Sequence, residues 1–248
     1  MRKPITFAIV FIIAFTSAIT GQPLNNTASN AKANSKREEL PEGAEAAKAI
    51  ARLDPLAPAA IRERLQQLRP QAFLPKADHI NQLIKRLNLT IETGRRVDQT
   101  KAVLQPVLDY HGRNQMPIYV LWSEQPQAYL VERAVIIITT RLLDIAREDE
   151  LRGIIAHELA HEYVWNARSE AMSTHGKKLM RECELFCDAI AAFTLKELGN
   201  DPASYIRILE QLTKAGNREG HFSQLESDTH PSLDERRKLN EFLCQRLE

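Results

Sequence analysis

Apolar side chains recur every three or four residues over most of the chain, which is the spacing of one face of a helix. Leucine and isoleucine follow this spacing up to position 87, so residues 39–94 are predicted to form a helical N-terminal extension, interrupted at five prolines. A further helix is predicted over residues 97–110, with a kink at Pro106. Three apolar, β-rich runs follow, and they predict strands at residues 116–122, 128–131 and 134–139.

The second half of the chain returns to helical spacing. A short helix begins at Leu142, a longer one is predicted over residues 150–166 with Glu148 or Asp149 as its cap, and another carries residues 181–193. Ser232 to Glu235 has the S-x-x-E pattern of a capping box, which starts the last helix. Long helices around a small antiparallel sheet make an α+β fold that is mainly helical, and the low glycine content of 9 residues in 248 agrees with it.

The first twenty residues differ from the rest of the chain. Arg2 and Lys3 precede an uncharged run at residues 5–19, and small residues cluster at its end. This order is typical of a secretory signal peptide, and the run is shorter than the roughly 20 residues of a membrane span. We therefore predict a signal peptide at residues 1–21, a disordered linker at 22–38, and an exported protein that is periplasmic or secreted. An uncleaved N-terminal membrane anchor is the alternative.

The composition adds no new element to this prediction, but it excludes several classes of protein. Hydrophobic residues make up 44% and charged residues 26% of the chain, as in an ordinary globular domain. The net charge of +1 gives no argument for a nucleic-acid partner. Three cysteines are too few for a disulfide scaffold or a four-cysteine zinc module, so any chemistry must come from a local group of residues.

One such group lies in the helix predicted at residues 150–166. His157, Glu158 and His161 form the pattern HExxH, in which two histidines one turn apart project from the same helix face. Their imidazole nitrogens can both bind one zinc ion, at about 2.0–2.1 Å. Glu158 lies beside them and is predicted to be the general base, which takes a proton from a zinc-activated water molecule and passes it to the leaving amine.

A catalytic zinc site usually has a third protein ligand. Val164 and Ala167 stand where a metzincin has glycine and histidine, which excludes that class. Glu184, on the helix at residues 181–193, is the preferred ligand. Asp188 follows it by four residues on the same helix face and is predicted to accept the N–H of a ligand histidine. Two other side chains stay open as alternative ligands, Glu182 and His175.

The motif HELAHE, followed by E-x-x-C-D at residues 184–188, resembles the HtpX and type I CaaX prenyl protease family of zinc metallopeptidases. That family has HExxH on one helix and E-x-x-A-D on the next. Residues 128–143 and the segment HPSLDER at 230–236 are also similar to it, whereas Glu132-Arg133 replaces a glycine-containing turn and Cys187 replaces an alanine. The resemblance covers roughly residues 97–243. It implies a zincin-like (gluzincin) metallopeptidase domain, which we place at residues 95–248.

The resemblance carries two further expectations. Family membership would imply a soluble-type endopeptidase here, because the four or more membrane spans of the integral members are absent, and the layout is closest to soluble periplasmic members that act in protein quality control. It also implies a catalytic role for His230, which would either stabilise the oxyanion or plug the open zinc position.

Together these residues predict an exported zinc metalloendopeptidase with one zinc ion per chain. Its predicted partners are protein or peptide substrates in extended or unfolded form, bound as an added strand at the sheet edge near residues 131–139. Nucleic acid is not expected as a partner, and membrane contact is expected only if the signal segment stays attached. The alternative is a zinc-binding, chaperone-like or regulatory protein with little proteolysis.

Overall fold

A computed structural model of the protein describes residues 90–219 and 230–247, together with the isolated positions 81, 82 and 85. The predicted signal peptide, the linker and nearly all of the helical extension lie outside the described residues. Those three assignments, and the domain boundaries that depend on them, stay predictions.

The sheet has three strands, β1 (Ile118–Leu121), β2 (Ala128–Val131) and β3 (Val135–Thr139), in the order β1-β3-β2. All five residues of β3 are buried, which explains its unbroken apolar run. β2 and β3 pair antiparallel, as predicted, but β1 pairs parallel with β3, so the sheet is mixed rather than antiparallel throughout. After β1 the chain crosses to the far side of β3 before turning back, which makes β1 and β3 run in the same direction.

The outer edge of β1 is covered within the chain. Ile91 forms an antiparallel bridge with Leu121, and the Glu92 N–H donates to the Val120 carbonyl over 2.8 Å. Because β3 is central and β1 is covered on its other side, β2 is the strand at the open edge of the described sheet. The prediction that placed this edge near residues 131–139 is therefore wrong, since β3 lies between two neighbours.

The helices of the described region pack around the sheet and around one another. The helix bounds are α1 Arg95–Tyr110, α2 Thr140–Ile145, α3 Glu148–Ala160, α4 Trp165–Thr174, α5 Lys177–Glu197, α6 Ala203–Glu219 and α7 Leu233–Leu247. Helix α3 contacts α1, α5, α6 and β2. Its residues Ile155, Ala156 and Leu159 belong to the main apolar core.

The helix predicted at residues 150–166 is two helices. α3 ends at Ala160, residues 161–164 form a turn, and α4 begins at Trp165. In the turn the N–H groups of residues 161–163 donate to carbonyls three residues back, at 2.9–3.3 Å, instead of four. His161 caps the helix with φ −58° and ψ −23°, so its backbone still has helical geometry and its side chain still follows His157 by one turn.

Candidate metal centre

The two histidines of HExxH lie together in the interior of the protein. His157 sits in the last turn of α3 and His161 caps the helix; both are buried. Their ring centroids are 5.0 Å apart and the ring planes are nearly perpendicular. Helix α3 is central in the fold, so both imidazoles are held by a packed core rather than by a loop.

Glu184 on α5 reaches the same point from the facing helix. Its Oε2 lies 3.4 Å from His157 Nε2 and its Oε1 lies 3.8 Å from His161 Nε2. Two ligand atoms bound to a tetrahedral zinc at 2.0–2.1 Å are about 3.3 Å apart. The three side chains therefore fit one metal ion of zinc size, with two imidazole nitrogens and one carboxylate as donors.

Glu158 also lies close to this point. Its carboxylate and one ring nitrogen from each histidine are within 4.8 Å of one another, so it is the rival for the third metal ligand. One of its oxygens, Oε2, accepts the N–H of Leu130 on β2 at 3.2 Å. The two Glu184 oxygens lie 3.4 and 3.8 Å from the histidine Nε2 atoms, near the separation expected for ligands of one zinc ion, and Glu158 lies beside the same point and next to the edge strand.

Electrostatics in the pocket suit a cation. Burial would lower the pKa of His157, but hydrogen bonds with Asp188 and Glu184 raise it to about 9. Burial would raise the pKa of Glu184, but His161, His157 and Arg236 hold it well below its usual range. The carboxylate is therefore ionised, which a metal ligand must be. His161 differs, because burial lowers its pKa to about 3 and keeps it neutral.

A buried polar cluster supports the outer side of His157. Asp188 Oδ1 and the Tyr205 hydroxyl each lie 2.9 Å from His157 Nδ1, and the hydroxyl donates to Asp188 over 2.7 Å. Arg236 donates to Asp188 and to the Tyr205 oxygen, both over 3.0 Å, and to Glu184 Oε2 over 3.3 Å. The cluster directs His157 Nε2 toward Glu184 and joins helices α3, α5, α6 and α7 at one point.

Sequence analysis assigned no role to two members of this cluster, Tyr205 and Arg236. Arg236 ends the segment HPSLDER and could have been suspected from that resemblance, whereas Tyr205 carries no signal in an ordinary amphipathic helix. Asp188 lies where the sequence predicted, on the face of α5 that carries Glu184. Its Oδ1 is within hydrogen-bonding distance of His157 Nδ1.

His161 has a different supporting atom. The Cys187 Sγ lies 3.3 Å from His161 Nδ1, at the position where the family pattern has alanine. Burial raises the pKa of this thiol well above its usual range, so it stays protonated. The three cysteines Cys183, Cys187 and Cys244 are all free thiols.

The other site residues predicted from the sequence are His175, Glu182 and His230, and they differ in how close they lie to the two histidines. His175 is exposed at the end of α4 in a left-handed conformation, and Glu182 faces Lys178 at 3.8 Å, so neither joins the histidines. His230 is half-buried, and its carbonyl accepts from Arg181 over 2.8 Å. Burial lowers the pKa of His230, and the charges of Glu184 and Arg236 also act on it, which places it within electrostatic reach of the metal ligands.

One further cation acts on the site. The charge of Arg168 on α4 adds to burial in lowering the pKa of His161, and it opposes the rise that burial causes in the pKa of Glu158. Its Nε atom is buried without a hydrogen-bond partner in the part of the chain that the structure describes. Sequence reasoning had not singled out this residue.

Comparison with known proteins agrees with this geometry. Residues 95–180 match the model of peptidase family M48, a region that contains the sheet and the whole HExxH pattern. The match covers about a third of the chain. Relatives named Protease HtpX homolog are similar to part of this chain. The one from Ralstonia pickettii (strain 12J) is 35% identical over 82 residues, 29% of each chain. The one from Thermodesulfovibrio yellowstonii is 42% identical over 48 residues, 18% of this chain and 17% of the relative.

The M48 match supports the predicted family and agrees with the mainly helical zincin-like fold class. The matched segments span less than a third of the length of these relatives. The M48 region ends four residues before Glu184, so the assignment of the third ligand depends on the geometry above.

The predicted location is wrong. A periplasmic or secreted protein was expected, but the HtpX homologues that the chain resembles are membrane proteins. Among the described residues, none of the helices combines the length and the apolar character that a membrane span needs. The prediction depended on the apolar run at residues 5–19, which lies outside those residues. An apolar run behind two basic residues is a pattern that signal peptides share with membrane anchors.

Proposed function

We propose that this protein is a zinc-dependent metalloendopeptidase in which His157, His161 and Glu184 hold one zinc ion. The observation that carries the proposal is the approach of both Glu184 oxygens to the histidine Nε2 atoms, at 3.4 and 3.8 Å, beside a glutamate on the same helix. A structural zinc site is usually closed by four protein ligands, whereas three ligands and an adjacent base are typical of hydrolysis.

When bound, zinc would polarise the peptide carbonyl and lower the pKa of the attacking water. Glu158 takes the proton from that water and returns it to the leaving amine. Burial raises the pKa of Glu158 above its usual value, toward neutral pH. A carboxylate with a raised pKa is a better base toward the water, and its protonated form can then donate to the leaving amine. Asp188, Tyr205 and Arg236 hold the His157 ring in the orientation that the site requires.

The substrate is an extended peptide that adds as a strand to the open edge of β2. In an antiparallel hairpin, successive residues direct their backbone groups alternately toward and away from the partner strand. The Leu130 N–H donates to Glu158 rather than to β3, so the backbone groups of Leu130 and of Ala128, two residues earlier, face outward. Main-chain pairing there would position a peptide next to Glu158 with little sequence selectivity. A role in protein quality control stays a prediction.

The test compares the wild-type protein with Glu158→Gln on unfolded casein, with zinc measured in both. We expect about one zinc per chain in each and a loss of cleavage of about 10²–10⁴-fold in the variant, because an amide cannot accept the proton. Chelation should abolish wild-type cleavage and added zinc should restore it. Cleavage by Glu158→Gln at the wild-type rate would disprove the proposed mechanism. Full zinc occupancy with no cleavage by the wild-type protein would favour the chaperone-like alternative.

A further inference from the structure

A second buried charged cluster lies next to the metal centre and takes no part in the mechanism above. Its centre is Glu162, the residue directly after His161. Arg113 donates from Nε to Glu162 Oε1 and from Nη2 to Oε2, both over 2.7 Å. These two side chains are 4% and 1% exposed. Arg133 approaches the same Oε2 with Nε and Nη2, both at 3.4 Å, and is 23% exposed.

The two arginines have different tasks. Arg113 holds Glu162 by two short, buried hydrogen bonds, and the neighbouring His111–Tyr163 contact of 2.9 Å fixes the same turn. Arg113 thus balances the carboxylate charge and, with the His111–Tyr163 contact, anchors residues 161–164. The bonds of Arg133 are longer, and its guanidinium also lies 5.8 Å from the centre of the Trp165 ring. Its contribution is a link between elements, because it comes from the turn that joins β2 to β3.

That turn has an unfavourable backbone. Glu132 and Arg133 have φ values of 50° and 57°, and the Ala134 N–H donates to the Val131 carbonyl over 2.9 Å. Two successive left-handed residues form the tight hairpin turn that asparagine and glycine ordinarily occupy, because side chains with a Cβ are strained there. Strain of this kind persists where the surroundings hold it and is concentrated at functional sites. Arg133, one of the two left-handed residues, contacts Glu162 and the Trp165 ring from this turn.

Two hydrogen-bonding contacts join the hairpin to the end of the HExxH helix and the turn after it. Leu130 donates its N–H to Glu158, and Arg133 reaches Glu162. Positions 158 and 162 are four residues apart, which puts both glutamates on nearly the same face of the helix and its terminal turn. An incoming peptide strand would compete for the outward N–H of Leu130, whereas the contact of Arg133 with Glu162 and Trp165 would remain.

We propose that Arg133 is a positioning residue for the substrate. It holds edge strand β2 in the position, relative to the HExxH helix, at which an added peptide lies next to Glu158 and the proposed metal ligands. The inference rests on the proposed peptidase function and adds the means by which the peptide is aligned. Loss of Arg133 should weaken the binding of extended peptides and leave the metal ligands intact.

The test uses two variants of the same turn, Arg133→Gly and Glu132→Gly. Both put glycine at a left-handed position and relieve the same backbone strain, but only the first removes the link to Glu162. We expect Arg133→Gly to raise KM for an unfolded peptide about tenfold, with kcat within about twofold of wild type and zinc content unchanged. Glu132→Gly should keep the wild-type KM, and Arg133→Lys should recover part of the loss. Equal KM values for the two glycine variants would overturn the proposal, as would loss of zinc from Arg133→Gly.

A binding measurement separates this proposal from the proposed function. Both glycine substitutions are placed in the Glu158→Gln background, and the fluorescence anisotropy of a labelled, unfolded casein peptide is titrated with each protein. Weaker binding by the Arg133 variant alone supports the positioning role even if the wild-type protein cleaves nothing, an outcome that would refute the peptidase function only. Equal binding by the two variants refutes the positioning role whatever the cleavage assay shows.

Discussion

Glu182 and Glu184 lie two residues apart on α5, and both are buried, yet their carboxylates meet different partners. Glu184 faces the two histidines and Arg236, which together hold its pKa well below the usual range against the effect of burial. Glu182 faces Lys178, one turn earlier on the same helix, at 3.8 Å. Two residues correspond to roughly 200° around a helix, so the backbone alone separates the roles of the two side chains.

This pair gives a matched test of the third metal ligand. Glu184→Ala should reduce bound zinc from about one per chain to a small fraction, because two histidines alone hold the ion weakly. Glu182→Ala should keep about one zinc per chain. Atomic absorption on the dialysed proteins measures both values. Full zinc retention in the Glu184 variant, or its loss in the Glu182 variant, would move the ligand elsewhere.

His230 has two predicted roles, and they predict opposite changes in activity when the side chain is removed. If its imidazole stabilises the developing oxyanion, His230→Ala should lower kcat by about 10²–10³-fold and retain zinc. If it plugs the open metal position, the same variant should be more active than wild type. Ser232 and Glu235 form the predicted capping box, with Ser232 N–H to Glu235 at 2.8 Å and Glu235 N–H to Ser232 Oγ at 3.3 Å. The start of α7 should therefore survive the change, and unchanged kcat would make His230 an ordinary loop residue.

At the scale of elements, the distance between α3 and α6 decides whether Tyr205 reaches the metal centre. Gly153 on α3 faces α6, and a Cβ added there would lie 3.0 Å from Tyr205 Cβ, 3.3 Å from Tyr205 Cα and 3.2 Å from the Leu195 side chain. The missing side chain at Gly153 therefore lets the helices approach closely. That approach allows the Tyr205 hydroxyl to contact both His157 and Asp188.

Because α3 and α6 approach closely at Gly153, we expect Gly153→Ala to change the stability of the protein in the opposite direction to the usual one. Alanine inside a helix normally stabilises by about 0.5–1 kcal/mol relative to glycine. Here we expect a loss of about 1–3 kcal/mol in the free energy of unfolding, since the new methyl group must displace the backbone of α6. Zinc affinity should fall with it, because Tyr205 moves away from His157. Urea unfolding and a zinc titration test this, and a stabilised variant with unchanged affinity would contradict it.

At the scale of the whole molecule, the metal centre is where α3, α5, α6 and α7 meet, so its charges bear on folding. The pKa of His157 is raised to about 9, so without metal its contribution to stability is complete below about pH 6.5 and is lost as the pH rises to about 9. The pKa of His161 is lowered to about 3, so the folded state resists its protonation, and stability is lost as the pH falls below about 6.5. These two histidines favour a stability maximum near pH 6.5.

Zinc should change this profile. Metal binding needs unprotonated ligands, so zinc should stabilise the fold more at pH 8.5 than at pH 5.5. At free zinc a thousandfold above Kd the gain is about 4 kcal/mol. Urea unfolding at pH 5.5, 6.5 and 8.5, with chelator and with zinc, gives the comparison. Identical profiles under both conditions would show that these histidines do not bind the metal in the folded protein.

Local patterns were sufficient for part of this molecule. HExxH puts His157, Glu158 and His161 together because residues four apart meet on one helix face, and the same rule puts Glu184 near Asp188. The two hairpin strands and the capping box of the last helix also follow from short-range spacing and turn chemistry. In each case the partners are close in sequence, so the backbone itself brings them together.

Tertiary structure decided the rest, because the partners are far apart in the chain. α3 ends at Ala160 where Arg113 and His111, about 50 residues earlier, hold the turn that follows. Spacing could not reveal that Tyr205 and Arg236 meet Asp188, or that β1 runs parallel to β3 and leaves β2 as the open edge. The sequence determined the HExxH helix and the positions of His157, Glu158 and His161 on it. The packing of distant segments determined the support around the ligands and the edge beside them, since those contacts form only when the whole chain has folded.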